Sequence, residues 1–368
     1  MLWREGVIEA ELGRWPGVIE YAVRISGRES ARIRALSYEA ITGEAIPGDR
    51  VLLNVSALAR GLGTGGFGLV VAFPDRIPPD DDAGVGHIVK ARYTPQQQMF
   101  LAVDEQDSRY HQVLSTGPAA AGDLAGMPVV VADLHSALPA VIAGIRSVRP
   151  EASIGYVMTD GGALPLAFST TVAGLNQAGW LAASVTVGQA YGGEFEAVTL
   201  HSGLLAARYA VGVDIAVVIQ GPGNVGTGTA WGYSGVGAGE AVTAAWTLHG
   251  RAVAALRVSA ADPRPRHRGI SHHSRTAYGR IAQGEFVVPV ANPTNPFQYQ
   301  VHRQTQALVA AASGSARLEL VDSAGLLDVL AACPVPLSTM GRDLTADPEP
   351  FIAAAAAGRL AADLLTRE

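Results

Sequence analysis

Carboxylate and imidazole side chains follow predicted strands at two points where they could do acid–base chemistry. Asp133 and His135 stand two residues apart, directly after a continuous apolar run, so they lie on the same side of an extended chain. Asp160 follows the next apolar run, and His272 belongs to a histidine-rich segment further along. Because general acid–base catalysis uses carboxylates and imidazoles, we predict that Asp133, His135, Asp160 and His272 are catalytic residues.

The same kinds of side chain could instead hold a metal ion. Aspartate oxygens and histidine nitrogens are ligands for Zn²⁺ and similar ions. The alternatives are that Asp133 caps a helix and that His135 only hydrogen-bonds a loop. The spacing matches no fixed metal motif, so the sequence leaves both the metal and any cofactor unknown. The residues that could contribute are Asp133, Asp160, His135, His201, His267, His272 and His273.

The loop 221–229 is the most glycine-rich segment that follows a predicted strand. Its glycines have the Gly-x-Gly-x-x-Gly spacing of dinucleotide-binding loops, but the loop follows the fourth predicted strand rather than the first. The next acidic residue, Glu240, begins a helix instead of ending a strand. A dinucleotide site is therefore the weakest interpretation. Cradling of an anion by backbone amides and a purely structural turn both stay open. The candidate binding residues here are Gly221, Gly223, Asn224, Gly226 and Thr227.

A dense cationic run at 264–268 precedes two adjacent histidines, His272 and His273. Arginines in such a run could clamp a phosphate, a carboxylate or a nucleotide. The alternatives are a solvated loop and salt bridges at a subunit contact. Neighbouring histidines on a helix point in different directions, so we expect at most one of them to face a ligand. Arg268 and His273 are the candidate binding residues of this segment.

The sequence motifs of several classes of enzyme are absent from the chain. We find no Gly-x-Ser-x-Gly elbow, no phosphate-binding Walker loop, no His-Glu-x-x-His and no Cys-x-x-Cys. Cys333 is the only cysteine, so an intrachain disulfide is impossible. The only lysine, Lys90, precedes the α/β part of the chain, so we expect no Schiff-base chemistry there.

The candidate residues stand at the ends of strands that alternate with helices. Such alternation predicts a mostly parallel sheet with helices on both faces. In doubly wound sheets the ligand lies outside the carboxyl ends of the strands. We predict strands at 127–133, 154–158, 181–187, 214–219, 252–259, 286–290 and 318–321. We predict helices near 138–148, 164–178, 197–210, 238–248, 272–281, 296–312, 324–332 and 350–365.

The first part of the chain has a different texture. Five short β-rich runs are separated by glycine and proline turns, at 6–12, 18–25, 31–39, 50–58 and 67–73. This spacing suggests a small barrel or half-barrel. The predicted fold class is therefore α/β: a mostly parallel, doubly wound, Rossmann-like sheet preceded by a small β-rich, barrel-like domain. The predicted domains are 1–115, barrel-like, and 126–368, an α/β three-layer domain.

The amino-acid composition limits the kinds of partner that we expect the protein to bind. Apolar residues make up 48% of the chain and charged residues only 16%, which suits a compact protein buried further in a homo-oligomer. The net charge of −6 offers nothing that would attract nucleic acid or an anionic membrane. The uncharged stretch between Asp160 and Glu194 is interrupted by proline and polar residues, so we interpret it as a helix and a strand. Since no apolar leader follows Met1, we expect a cytoplasmic protein.

Three segments resemble a bacterial family known only as domain of unknown function 3866. They are Gly-Pro-Gly-Asn-Val-Gly-Thr-Gly-Thr at 221–229, His-Arg-Gly-Ile-Ser-His-His at 267–273 and Leu-Gly-Thr-Gly-Gly-Phe at 62–67. The resemblance covers most of the chain. It carries no assigned activity and no catalytic residues, so it implies only that the first two segments are the places to look.

Two functions follow from these observations. The first is an enzyme that acts on a small anionic or phosphorylated metabolite at the carboxyl edge of the sheet. The second is a non-catalytic ligand-binding or regulatory homo-oligomer. Convergence of Asp133, Asp160 and a histidine would favour the enzyme, and scattered histidines would favour the binding protein. We also expect the segments 221–229 and 264–273 to meet in one cleft with Asp133, His135 and Asp160.

Overall fold

The computed structural model describes residues 1–26, 31–80 and 85–365. The chain forms two compact units. The first consists of Met1–Gly84, Ala91–Gln98 and Ala167–Ala173, and the second of Val85–Lys90, Met99–Leu166 and Gly174–Glu368. A closed barrel lies in the first unit and a parallel sheet in the second, so the predicted fold class is confirmed. The sequence boundaries at 115 and 126 stay predictions.

The barrel closes because its first strand pairs with its fourth. The strand order is β1-β2-β3-β5-β4, and Trp3–Val7 of β1 run antiparallel to Arg50–Asn54. Alternate side chains of each strand point inward, and Ile19, Tyr21 and Leu53 are among those fully buried. The strands are β1 (Trp3–Trp15), β2 (Val18–Ile25), β3 (Arg32–Tyr38), β4 (Arg50–Asn54) and β5 (Phe67–Ala72).

Eight parallel strands form the sheet of the second unit, in the order β11-β10-β9-β12-β8-β13-β16-β17. The central strands are buried on both faces, which is why the sequence shows them as unbroken apolar runs. The remaining strands form three two-stranded sheets, β6 with β7, β14 with β15 and β18 with β19. The bounds are β6 (Ile88–Lys90), β7 (Gln98–Phe100), β8 (Pro128–Val131), β9 (Ile154–Thr159), β10 (Ala183–Thr186), β11 (Phe195–Glu196), β12 (Ile215–Gln220), β13 (Arg251–Ala254), β14 (Val258–Ser259), β15 (Gly269–Ile270), β16 (Glu285–Ala291), β17 (Ser315–Val321), β18 (Ser338–Thr339) and β19 (Arg342–Asp343).

Helices cover the sheet on both faces, as right-handed crossovers require. α4, α10 and α11 pack against one another on one face, while α6, α7, α8 and α9 follow crossovers that run the other way. Among the described residues, every helix is too short or too polar to span a bilayer. The bounds are α1 (Glu39–Thr42), α2 (His111–Leu114), α3 (Gly117–Ala120), α4 (Leu138–Arg146), α5 (Thr170–Gln177), α6 (Leu200–Ala206), α7 (Gly237–Thr247), α8 (His272–Thr276), α9 (Pro296–Ala310), α10 (Leu326–Ala331) and α11 (Glu349–Leu364).

Local geometry departs from the sequence prediction at two kinds of place. The predicted helices at 197–210 and 272–281 begin as α-helices and end in π-helical turns, Ala207–Val211 and Ala277–Ile281. The helix after β8 begins with a 3₁₀ turn, His135–Ala137, and no side chain caps α4. Ser136 donates a hydrogen bond to Thr339 Oγ1 instead, at 2.9 Å.

Two glycines let α4 and α11 pack backbone against backbone. A Cβ atom at Gly144 would overlap the carbonyl oxygen of Ala355, and one at Gly358 would overlap that of Val141. These helices cover the sheet beside β8 and β16. Any side chain at either glycine must therefore push the helices apart.

We expect Gly144→Ala to lower the free energy of unfolding by about 1–3 kcal/mol, the usual cost of overpacking a core. The better helix propensity of alanine offsets only part of this loss. Gly237→Ala in α7 is the matched control, since no atom lies within 4 Å of the added Cβ. Urea unfolding measures both variants. Equal stability of the two would contradict the close contact of α4 and α11.

Candidate functional site

A crevice opens at the carboxyl edge of the sheet between β8 and β13. These neighbouring strands send the chain in opposite directions, β8 towards β9 and β13 towards β16. Such a switch of direction is where open α/β sheets bind ligands. A cavity of about 30 Å³ lies there, with room for about two water molecules. Its polar side chains belong to Asp133, Ser136, Arg257, Ser259, Asp262, Thr339 and Arg342.

Asp133 is the buried carboxylate of this crevice. It follows β8 and is only 3% exposed. Its Oδ2 lies 3.7 Å from the Arg257 guanidinium and 3.5 Å from His273 Nδ1, yet it accepts no hydrogen bond within the described part of the chain. Arg257 Nη1 donates to His273 Nδ1 at 3.0 Å. A carboxylate, a guanidinium and an imidazole thus meet where three separate segments converge.

Three histidines form a compact cluster beside this group. One ring nitrogen from each of His267, His272 and His273 lies within 4.8 Å of the others. His267 and His273 are buried, and the Nδ1 of His267 lies 2.8 Å from Ser271 Oγ. The Nε2 of His272 is buried without a hydrogen-bond partner among the described residues. Both adjacent histidines therefore belong to the cluster, and which of them faces a ligand stays a prediction.

Two of the three histidines have lowered pKa values, and nearby arginines contribute to the shift. Burial is the main cause that lowers the pKa of His267 to about 3, and the charge of Arg257 lowers it further. Burial also lowers the pKa of His272 to about 4, with smaller contributions from His273 and Arg266. At neutral pH these two imidazoles are therefore unprotonated, so they can accept a proton or bind a metal.

A buried ion network forms the other wall of the crevice. Asp262 is 2% exposed and binds Arg264 at 2.8 Å and Arg342 at 3.3 Å. The hydrogen bond from Arg264 holds the pKa of Asp262 far below its usual range. Asp347 accepts hydrogen bonds from Arg342 and from the hydroxyl of Ser259. This network fixes the loop that carries the cationic run.

His135 lies apart from the histidine cluster. Its Nδ1 is 3.1 Å from the hydroxyl of Tyr156, and that hydroxyl donates to the carbonyl of Ile219. Burial lowers the pKa of His135 to about 4, so the ring is neutral at pH 7. The structure thus places His135 in a hydrogen-bonded position between β8, β9 and β12. This is the arrangement in which a histidine ties a loop to the sheet.

Asp160 lies at the end of β9, two strands away from β8 in the sheet. Neighbouring strands are about 4.8 Å apart, so about 10 Å separates the two strand ends. The carboxylate is exposed and accepts a hydrogen bond from the backbone of Gln189 at 2.9 Å. Asp160 therefore orders the loop after β10, and the structure does not bring it into contact with Asp133.

Polar groups of the loop 221–229 form hydrogen bonds with the residues that flank the loop. The backbone N–H of Thr227 donates to Gly232 at 2.7 Å, which makes the loop one arm of a hairpin. Asn224 Oδ1 accepts hydrogen bonds from Gln220, Ser234 and the backbone of Gly235. Gly223 has a φ of +93°, which explains a glycine there. Gly221 and Gly226 also serve the turn, the latter through a bridge to Tyr233.

The loop 221–229 and the segment 264–273 approach each other at one point, and Tyr233 adds a contact that the sequence did not single out. A cleft shared by the two segments stays a prediction. Tyr233 stacks on His273 at a ring distance of 3.7 Å and donates its hydroxyl to the His273 carbonyl at 2.7 Å. A Cβ added at Gly228 would lie 3.8 Å from the Arg266 guanidinium. Arg268 is exposed and forms no ion pair within the described residues. Arg266 is also exposed, and it is the arginine of the cationic run that lies beside the loop 221–229.

Sequence reasoning missed Arg257 and Tyr233. Arg257 stands inside the predicted strand 252–259, which the structure ends at Ala254. A polar residue within an apolar run was the available signal. Tyr233 follows the glycine loop after a gap of several residues, and its stacking depends on a tertiary contact that no spacing reveals.

Comparison with known proteins identifies a family but no function. The family model described as protein of unknown function (DUF3866) matches residues 34–358, most of the chain. No curated protein and no solved structure matches the chain significantly.

Proposed function

Since the chain belongs to this family of unknown function, DUF3866, we propose from its own geometry that it is an enzyme acting on a small anionic or phosphorylated metabolite. The reaction would take place at the carboxyl edge of the sheet. The observation that supports the proposal is the convergence of buried Asp133 with His273 and His272 at the switch between β8 and β13. Asp160, which the expected convergence included, lies two strands away from Asp133 and does not join this group. The clustered histidines therefore support the proposal, since histidines scattered over separate surfaces would favour a binding protein.

The charges around the crevice explain the preference for an anion. Arg257, Arg264 and Arg266 all lower the pKa of His272, which means that their positive potential reaches the cluster. Arg257 and Arg264 already pair with carboxylates, whereas Arg266 is exposed and forms no ion pair among the described residues. An anion would gain charge-assisted hydrogen bonds from Arg266 and Arg268.

Acid–base work falls to the histidines in this proposal. His272 is neutral at pH 7, so its ring can take a proton from a bound substrate. Asp133 would orient the ring of His273, whose Nδ1 lies 3.5 Å from its carboxylate. Asp160 and His135 would order the neighbouring loops, and the loop 221–229 would shape the mouth of the crevice.

A binding experiment tests the anion part of the proposal. Inorganic phosphate and a panel of phosphorylated and carboxylated metabolites should raise the melting temperature of the protein by mass action. Arg266→Ala should weaken phosphate binding by about tenfold or more, because a hydrogen bond to a charged group is worth about 1.5–3 kcal/mol. Arg268→Ala tests the second exposed arginine in the same way. Calorimetric titration gives the affinities.

Arg149→Ala is the matched control, since Arg149 is exposed and precedes β9 at the opposite edge of the sheet. It should bind phosphate as the unaltered protein does. The anion proposal fails when no anion raises the melting temperature, or when the control loses as much affinity as Arg266→Ala. Asp133→Asn separates the two functions: an enzyme loses turnover of the bound metabolite, whereas a regulatory binding protein has none to lose. Light scattering on the same samples tests the predicted homo-oligomer.

A further inference from the structure

We propose that His267, His272 and His273 form a binding site for one divalent transition-metal ion such as Zn²⁺. The proposal goes beyond the anion site, because it needs no substrate to be present. It stands on two independent observations. Three ring nitrogens converge within 4.8 Å, and one of the three rings carries a buried nitrogen without a partner in the described chain.

The convergence is close to what a metal requires. Zn²⁺ binds histidine nitrogen at 2.0–2.1 Å, so two nitrogens on a tetrahedral ion are about 3.4 Å apart. The present separations, up to 4.8 Å, are larger by about 1.4 Å at most. Ring rotation covers such a difference. Without a metal, the buried Nε2 of His272 bears the full cost of an unmade hydrogen bond.

Polar groups of the protein already contact the Nδ1 atoms of two rings. Ser271 Oγ lies 2.8 Å from His267 Nδ1, and no described residue bonds the Nε2 of His267 or His273. Asp133 Oδ2 lies 3.5 Å from His273 Nδ1 and has no hydrogen-bond partner in the described chain. A metal on Nε2 would place the proton of His273 on Nδ1, where Asp133 can accept it. Histidine ligands usually donate their other N–H to a carboxylate or carbonyl in this way.

The contact from Arg257 must change when the metal binds. Its guanidinium now donates to His273 Nδ1, which requires the proton of that ring to be on Nε2. Metal binding would move the proton to Nδ1 and turn Arg257 wholly towards Asp133, 3.7 Å away. The buried negative charge of Asp133 then offsets part of the repulsion between the arginine and the ion.

The donor set selects the class of metal. Three imidazoles suit zinc, copper, iron or nickel and not calcium or magnesium, which prefer oxygen. Three histidines also leave a fourth tetrahedral position open, as in catalytic rather than structural zinc sites. That position would be available to water or to an anion. With the metal on His272, a water held there would take the proton-accepting role that the anion proposal gives to the His272 ring.

Cobalt titration of the full chain tests the site. Protein stripped with a chelator and freed of anions should bind one Co²⁺ per chain with the visible absorption of a tetrahedral nitrogen site, and Zn²⁺ should displace it. His272→Ala and His267→Ala should each weaken binding by at least about 100-fold, more than the 10- to 100-fold that loss of an outer-shell partner costs. Asp133→Asn should fall within that smaller range.

His201→Ala is the control, because His201 is exposed on α6 and outside the cluster. Its cobalt affinity should equal that of the unaltered chain. The proposal is overturned by absence of stoichiometric binding, by binding that survives His272→Ala, or by loss of binding in His201→Ala. Should His272→Ala fail to fold by circular dichroism, His272→Gln replaces it, since the amide fills the same space. Failure of phosphate to bind leaves this result unchanged, so the two proposals fail separately.

Discussion

Replacement of Lys90 by methionine should lower the free energy of unfolding by about 3–5 kcal/mol, the cost of breaking a buried ion pair by removing one partner. Lys90 is 1% exposed and donates to the carbonyls of Thr186 and Ala190 and to the carboxylate of Glu196, at 2.7–3.0 Å. Without the ammonium, Glu196 remains as a buried charge. Urea unfolding at neutral pH measures the loss.

A second substitution separates charge from packing. Lys90→Met combined with Glu196→Gln should recover part of the stability, since the carboxylate is no longer left unpaired. In the double variant the glutamine oxygen can accept the hydrogen bond from the backbone of Gly192, and its NH2 group can donate to the hydroxyl of Thr186. Arg149→Met, an exposed change, should stay within about 0.5 kcal/mol. A loss below about 1 kcal/mol for Lys90→Met would mean that the pair behaves like a surface salt bridge.

Lys90 is also a residue whose tertiary position was predicted wrongly from the sequence. Its position before the first apolar run suggested that it lay outside the α/β part. The structure assigns Val85–Lys90 to the second unit, and the lysine fills a polar gap beside β10 and β11. β11 itself, Phe195–Glu196, is two residues long and leaves no periodic signal. Long-range contacts of short segments cannot be deduced from spacing.

The parallel strands were predictable because burial on both faces demands unbroken apolar runs. Each predicted strand from 127 onward overlaps an observed one. Strand order was not predictable. In the sheet β12 lies between β8 and β9, although in the chain it comes after both of them and after β10 and β11. This insertion is what moves Asp160 away from Asp133. Strand ends thus indicated which residues reach the carboxyl edge, but not which of them are neighbours.

The segment 264–273 was informative for a different reason. A short segment made mostly of charged residues and histidines cannot contribute much to a hydrophobic core. The sequence alone therefore identified it as a candidate site. The residues that contact His273 could not be predicted from the sequence, because Arg257 and Tyr233 belong to other loops. Their arrangement depends on the crossing of chain segments over the switch point.

Acidification should destabilise the protein through His135. Burial lowers its pKa to about 4 in the folded chain, from an ordinary value of 6.5. The unfolded state therefore binds the extra proton between pH 6.5 and pH 4, and stability falls as the pH falls through this window. The contribution is fully present above pH 6.5. Each pH unit costs about 1.4 kcal/mol, so the loss by pH 4 is about 3 kcal/mol.

The variant His135→Gln isolates this contribution from other groups that titrate. Burial raises the pKa of Glu194 and of Glu349, and these carboxyls oppose the histidine as the pH falls. Urea unfolding of both proteins at pH 7 and pH 5 gives the difference in slope. We expect His135→Gln to cost stability at pH 7, through its hydrogen bond to Tyr156, and to lose about 2 kcal/mol less than the unaltered chain on going to pH 5. Parallel losses in the two proteins would show that His135 takes up its proton as readily in the folded chain as in the unfolded one. The buried position between β8, β9 and β12 would then have to admit water.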